Sequence, residues 1–97
     1  MAEEVGGTWF CYMVRCADRS LYVGVATDVG ERIKEHNWGV GATFTAKRRP
    51  VSLVWQQRFE NQRDARERER ELKGWRRAKK LTLVQEFRLA NGGNGEP

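Results

Sequence analysis

Two runs rich in aromatic and β-favouring residues, Trp9 to Cys16 and Leu21 to Val25, are separated only by Ala17-Asp18-Arg19-Ser20. So short a gap joins them as a β-hairpin, and a hairpin at the start of the chain commits the fold to an antiparallel sheet. Cys11 and Cys16 stand at an odd separation on one strand, so their thiols point to opposite faces and cannot bridge each other. Asp28 then offers a helix cap, with Glu31 three residues on and Val29, Ile33 and His36 at helical spacing, predicting a short helix that ends near Asn37. Trp38 to Arg49 has two glycines and no clear period and reads as a loop. Val51 to Phe59, opened by Pro50, reads as a third strand.

Asn61 begins a long helical stretch interrupted at Gly74, and a last helix over roughly 76–90 aligns Leu81, Val84 and Arg88, with Leu83 and Phe87 beside them. The expected order is β-β-α-β-α-α, an α+β fold with a small three-stranded antiparallel sheet flanked by helices. At 97 residues and 11.3 kDa the chain supports one core. We assign that single domain to residues 9–90, with flexible ends at 1–8 and 91–97.

No apolar run approaches the roughly 20 residues that cross a bilayer, and the opening Met1-Ala2-Glu3-Glu4 is unlike an export signal. A cytoplasmic protein without a membrane partner is expected. One histidine and no paired Cys-x-x-Cys leave a structural zinc site short of ligands. Gly39-Val40-Gly41 follows a helical pattern and lacks the third glycine of a dinucleotide loop.

Net charge is +5, and the stretch from Arg63 to Lys80 holds nine basic and four acidic residues, which accounts for all of it. On charge alone this is either a solvated helix laced with ion pairs or a surface for a polyanion. A second cluster, Lys47-Arg48-Arg49, favours a nucleic-acid surface built with Lys73, Arg76 and Arg77. Trp38, Phe44 and Trp75 lie near these cations in sequence and offer faces for unpaired bases, unless core packing occupies them.

On the second helix Ala65 and Leu72 mark the inward stripe, and Glu69 falls between them while Glu67 and Glu71 point elsewhere. A carboxylate aimed at the body of a domain must be paired or bound to a cation, so Glu69 is a salt-bridge partner or a metal ligand. Arg32 and His36 flank the stripe made by Val29 and Ile33, so a guanidinium and an imidazole can reach one pocket. Each has a structural explanation alone; their convergence with Glu69 marks a candidate site.

Phe10-Cys11-Tyr12, Tyr22-Val23-Gly24, Asp28 to Arg32, Glu35-His36-Asn37, Arg48-Arg49-Pro50 and Glu69 to Lys73 together resemble the GIY-YIG nuclease superfamily, in particular its small stand-alone bacterial branch. The likeness spans about residues 9 to 80 and agrees in order, spacing and expected structure. It implies hydrolysis of a phosphodiester with one divalent cation, Mg²⁺ or Mn²⁺. Carried over residue by residue, Glu69 would hold the metal and Arg32 the scissile phosphate. Tyr22, with or without His36, would position or deprotonate the attacking water, and Tyr12 would orient water or phosphate. The physics suits these roles, because a cation and a guanidinium neutralise charge that develops on phosphate oxygens. One carboxylate with a shell of waters is also how Mg²⁺ prefers to bind. Two features depart from the pattern. Of the first named triplet only the tyrosine remains, and Val25 and His36 stand where some relatives carry a lysine and a second tyrosine.

A shared site requires both phenols on one face of the hairpin. A four-residue loop would pair Cys16 with Leu21 and separate them. A three-residue loop, Asp18 to Ser20, would pair Cys16 with Tyr22 and bring them together, so an odd register or an equivalent bulge is expected. The reading is a metal-dependent DNA endonuclease with modest sequence preference, acting on single-stranded or branched DNA, with RNA also open as a substrate. The competing class is a non-catalytic nucleic-acid-binding module of the same fold.

Overall fold

A computed structural model describes residues 7–91. The flexible ends expected at 1–8 and 91–97 fall outside it except for Gly7, Thr8 and Asn91. The elements are β1 (Trp9–Arg15), β2 (Leu21–Ala26), α1 (Val29–Trp38), α2 (Thr43–Ala46), β3 (Ser52–Phe59), α3 (Gln62–Lys73) and α4 (Arg77–Ala90). The three strands form one antiparallel sheet in the order β2-β1-β3, which puts β1 in the middle. The α+β fold and its three-stranded sheet are as the sequence indicates.

The order gains one element, because α2 lies inside the stretch read as a loop. It is a single turn in which Ala46 N–H bonds the Ala42 carbonyl at 3.0 Å. Four residues are too few to display a helical period, and the two threonines among them are poor helix formers.

The hairpin is odd, but its loop sits one residue earlier than expected. Val14, not Cys16, faces Tyr22, and Cys16 N–H bonds the Ser20 carbonyl at 2.9 Å around the three residues Ala17 to Arg19. Arg19 takes φ 74° to close the turn, a left-handed position that costs a non-glycine residue about 1 kcal/mol. Asp18 supports it by accepting from Ser20 N–H at 2.9 Å. A shift of two in pairing preserves parity, so Tyr12 and Tyr22 share a face.

β1 is buried on both faces, and its side chains alternate between two cores. Tyr12, Val14 and Cys16 join Ala26, Val29 and Val51, with Phe10, Tyr22 and Ile33 packed against them. Cys11 and Met13 join Val23, Trp55 and Leu72 under α3 and α4. The two cysteines are therefore on opposite faces and free, as their spacing requires. A bulge at Val54 bends β3 where Met13 faces Trp55 but Val14 faces Leu53. On α4 the packed residues are Leu83, Val84 and Phe87, while Leu81 is exposed. The helix is thus rotated from the stripe read in the sequence, since a half-apolar helix offers more than one plausible inner face.

Candidate active site

The even face of the hairpin carries a buried polar chain. Tyr12 is 2% exposed, and its Oη lies 2.7 Å from His36 Nε2. His36 is fully buried, and its Nδ1 lies 2.7 Å from Thr45 Oγ1. The Thr45 hydroxyl donates its one hydrogen to the Ala42 carbonyl at 3.1 Å, so it accepts from His36 Nδ1–H. Nε2 is then the unprotonated nitrogen, and the Tyr12 hydroxyl donates to it. Burial, followed by the Arg32 charge, lowers the His36 pKa below its ordinary 6.5, consistent with a neutral ring. Burial, followed by the proximity of Tyr22, raises the Tyr12 pKa, while the Arg32 charge opposes it.

Two glycines make room for this chain. A side chain at Gly24, opposite Tyr12 on β2, would put its Cβ 2.7 Å from the phenol oxygen, so the third position of Tyr-x-Gly is reserved for the Tyr12 ring. At Gly41 a Cβ would lie 2.5 Å from His36 Nδ1, which requires glycine in the loop before α2. Helix α1 delivers His36 from a start capped by Asp28, which accepts from Glu31 N–H at 2.9 Å.

Tyr22 is less buried than Tyr12. Its ring meets His36 edge-on at 5.3 Å between centroids and stacks on Phe44 at 5.9 Å. Lys73 Nζ lies 5.9 Å from the Tyr22 ring centroid, so side chains of α3 reach the even face around β2. Glu69 is one helical turn before Lys73; its side chain is 15% exposed, paired with Lys73 Nζ at 3.0 Å and with Arg66 at 3.6 Å. Its negative charge is felt at both Tyr12 and Cys11. Arg32 is part-exposed and pairs with Glu35 at 3.2 Å. The charges of Glu69 and Arg32 both reach Tyr12, and Tyr22 lies between the His36 ring and Lys73, the partner of Glu69.

The basic residues divide by what they touch. Arg48 donates to Asp18 at 3.1 Å and to the Phe44 carbonyl at 2.8 Å, and its guanidinium covers the Phe44 ring at 3.9 Å. Arg49 donates to the Ala46 carbonyl at 2.9 Å. Both act as clamps on the loop between α1 and β3, a role their sequence cluster did not disclose. Lys47, Arg76 and Arg77 are exposed. Of the three aromatics near these cations, Phe44 is sandwiched between Tyr22 and Arg48, and Trp75 packs on the odd-face core beneath Lys79. Trp38 alone stands clear, at 65% exposure.

Sequence reasoning missed Thr45, which follows His36 across an irregular loop, and the work of Asn37. The Asn37 side chain donates to the Val51 carbonyl at 3.1 Å and accepts from Val51 N–H at 2.7 Å, pinning α1 to the entry of β3. The motif Glu35-His36-Asn37 held that signal, since its last residue has both a donor and an acceptor.

A profile of the GIY-YIG catalytic domain matches residues 8–82. The chain belongs to the GIY-YIG family. It is similar to UPF0213 proteins of Staphylococcus aureus strains Mu3 and Mu50, each 49% identical over 77 residues, covering 79% of this chain and 94% of theirs. It is also similar to the solution NMR structure of the UPF0213 protein BH0048 from Bacillus halodurans, with 40% identity and a TM-score of 0.52 over 80% of this chain and 83% of that one. GIY-YIG nucleases generally depend on a divalent metal. No described helix is long and apolar enough to cross a membrane.

Proposed function

We propose that this GIY-YIG domain is a cytoplasmic endonuclease that hydrolyses DNA phosphodiester bonds with Mg²⁺ or Mn²⁺, acting on single-stranded or branched DNA with modest sequence preference. The observation that carries the reading is a mostly buried carboxylate, Glu69, whose charge reaches Tyr12 as that of Arg32 does, and whose partner Lys73 lies beside Tyr22. A surface that only bound DNA would gain nothing from a buried acid, which repels phosphate.

The residues suit a divalent ion: a single carboxylate 15% exposed, already balanced by positive charge, leaves the remaining coordination positions to water and substrate. Glu69 would hold the ion, which when bound supplies charge neutralisation on the phosphate oxygens as the bond breaks. Arg32 exchanges Glu35 for the scissile phosphate. Tyr22, the more accessible phenol, positions the attacking water and, once it has released its own proton to solvent, takes the water's proton as the phenolate. His36 has both ring nitrogens engaged and no exposed surface, which favours a positioning role over that of a base: it fixes the Tyr12 hydroxyl, and Tyr12 orients water or phosphate. Lys47, Arg76 and Arg77 hold the flanking strand, with Lys73 beside Tyr22, while Arg48 and Arg49 are committed to the loop. With the Trp38 ring exposed and available to stack, we favour flexible strands over intact duplex.

A second reading, a nucleic-acid-binding module without catalysis, is favoured by one observation: Glu69 is held by two cations of its own helix. Labelled single-stranded, branched and duplex DNA and RNA, incubated with Mg²⁺, Mn²⁺ or EDTA, separate the two. The nuclease reading expects cation-dependent cleavage that disappears in Glu69→Ala. Tight binding without cleavage by any form would establish the second reading, and cleavage indifferent to EDTA and to Glu69→Ala would overturn the mechanism.

A further inference from the structure

Among the ion-paired carboxylates of the described residues, Glu69 is the least exposed, at 15% against 38% or more for the others. It is also the one that meets two cations, Lys73 at 3.0 Å and Arg66 at 3.6 Å. Lys73 differs from an ordinary surface partner in having a second neighbour, the Tyr22 ring at 5.9 Å. Its ammonium therefore has both the carboxylate and the Tyr22 ring as neighbours. Lysine suits a displaceable position, because its charge is compact and its four-carbon stem is flexible. The side chain is 52% exposed, so its head can leave Glu69 for water without being stripped of solvent.

We propose that Lys73 is the resident counter-ion of Glu69: it holds the carboxylate in the cation-free protein, yields it to the divalent ion, and so sets the cation affinity of the site. This rests on Glu69 being the metal ligand. Once displaced, the ammonium remains tethered one turn from Glu69 and beside Tyr22, where it becomes a contact for a phosphate oxygen of the substrate. Lys73 thus acts with opposite sign on the two ligands, competing with the cation and attracting the DNA. An i,i+4 pair that merely stabilised the helix would do neither.

The test is binding, not turnover. Mn²⁺ is titrated into the wild type, Lys73→Met, Lys73→Arg and Glu69→Gln, with free Mn²⁺ followed by electron paramagnetic resonance. Affinity for a labelled single strand in EDTA is followed by anisotropy. Lys73→Met is expected to bind Mn²⁺ about tenfold more tightly and the single strand more weakly, while Lys73→Arg keeps the charge and returns both values towards wild type. If Glu69→Gln loses Mn²⁺ but Lys73→Met stays within about twofold of wild type, the size of an ordinary surface pair, the counter-ion role is wrong and the Glu69 ligand stands. If Glu69→Gln binds Mn²⁺ as the wild type does, or no form binds it, the ligand assignment fails and the counter-ion role with it.

Discussion

Along β1, Cys11 and Met13 enter a face closed by Val23, Trp55 and Leu72, whereas Tyr12, between them in sequence, enters a face where its hydroxyl meets His36. One strand thus supplies both an oily core and a polar chain, separated by nothing more than the alternation of its side chains. On the odd face stability follows apolar area removed from water, and the groups it covers become inert. The thiol of Cys11 is pushed up to about 12, first by burial and then by the nearby Glu69 charge. On the even face burial is tolerated because Tyr12, His36, Thr45 and the Ala42 carbonyl satisfy one another in sequence. Area can be lost piecemeal, but a hydrogen-bond chain fails link by link, and each broken link leaves a buried partner unmet.

The largest effect expected from this contrast is on the odd face. Trp55→Ala should cost about 3–5 kcal/mol in urea unfolding, the usual range for emptying a large aromatic site. A loss under about 1 kcal/mol would mean that the odd face is not the stabilising one. Next is His36→Ala, which frees both the Tyr12 and Thr45 hydroxyls and should cost about 3 kcal/mol. Tyr12→Phe, which orphans only Nε2, should cost about 1–2 kcal/mol. Equal costs for the two would show that the ring is held by packing and not by its bonds.

The pH dependence sharpens the comparison. The folded-state pKa of His36 is depressed below its ordinary 6.5, so the unfolded chain takes up the proton first. Its contribution is fully present above that value and is lost as pH falls towards the folded-state pKa, with a slope of up to about 1.4 kcal/mol per pH unit. Urea midpoints between pH 7.5 and pH 5 should show this slope in the wild type and in Trp55→Ala, and a flatter one in His36→Gln. The smallest effect belongs to the surface. A double-mutant cycle on Asp18 and Arg48, paired at 3.1 Å with Asp18 half exposed and Arg48 a third exposed, should return about 0.2–1 kcal/mol.

What the sequence disclosed follows the same division. The strands, the hairpin parity and the opposed cysteines were legible because a period of two is short enough to be read in seven residues. The inward turn of Glu69 was legible because Ala65 and Leu72 bracket it on a strongly amphipathic helix. The turn of helix at Thr43–Ala46 was not, and with it went Thr45, since four residues carry no period and nothing local says that a threonine nine residues from a histidine will meet it. The packed face of α4 was legible only in part: Val84 packs, with Leu83 and Phe87 beside it, but Leu81 is exposed, because none of the helix is fully buried and its apolar positions spread around it. Arg48 and Arg49 look like a phosphate clamp in sequence; only the loop geometry shows their guanidinium groups bonded to carbonyls. Identical chemistry can serve the fold or the ligand, and the neighbours decide which.

That Glu69 serves chemistry and not stability is tested most directly by measuring both properties on one preparation of Glu69→Gln. Urea unfolding and single-turnover cleavage of a labelled single strand in Mn²⁺ are compared with wild type. The account predicts stability within about 1 kcal/mol of wild type and cleavage lower by about a hundredfold or more. Cleavage at the wild-type rate by a fully folded Glu69→Gln would contradict it.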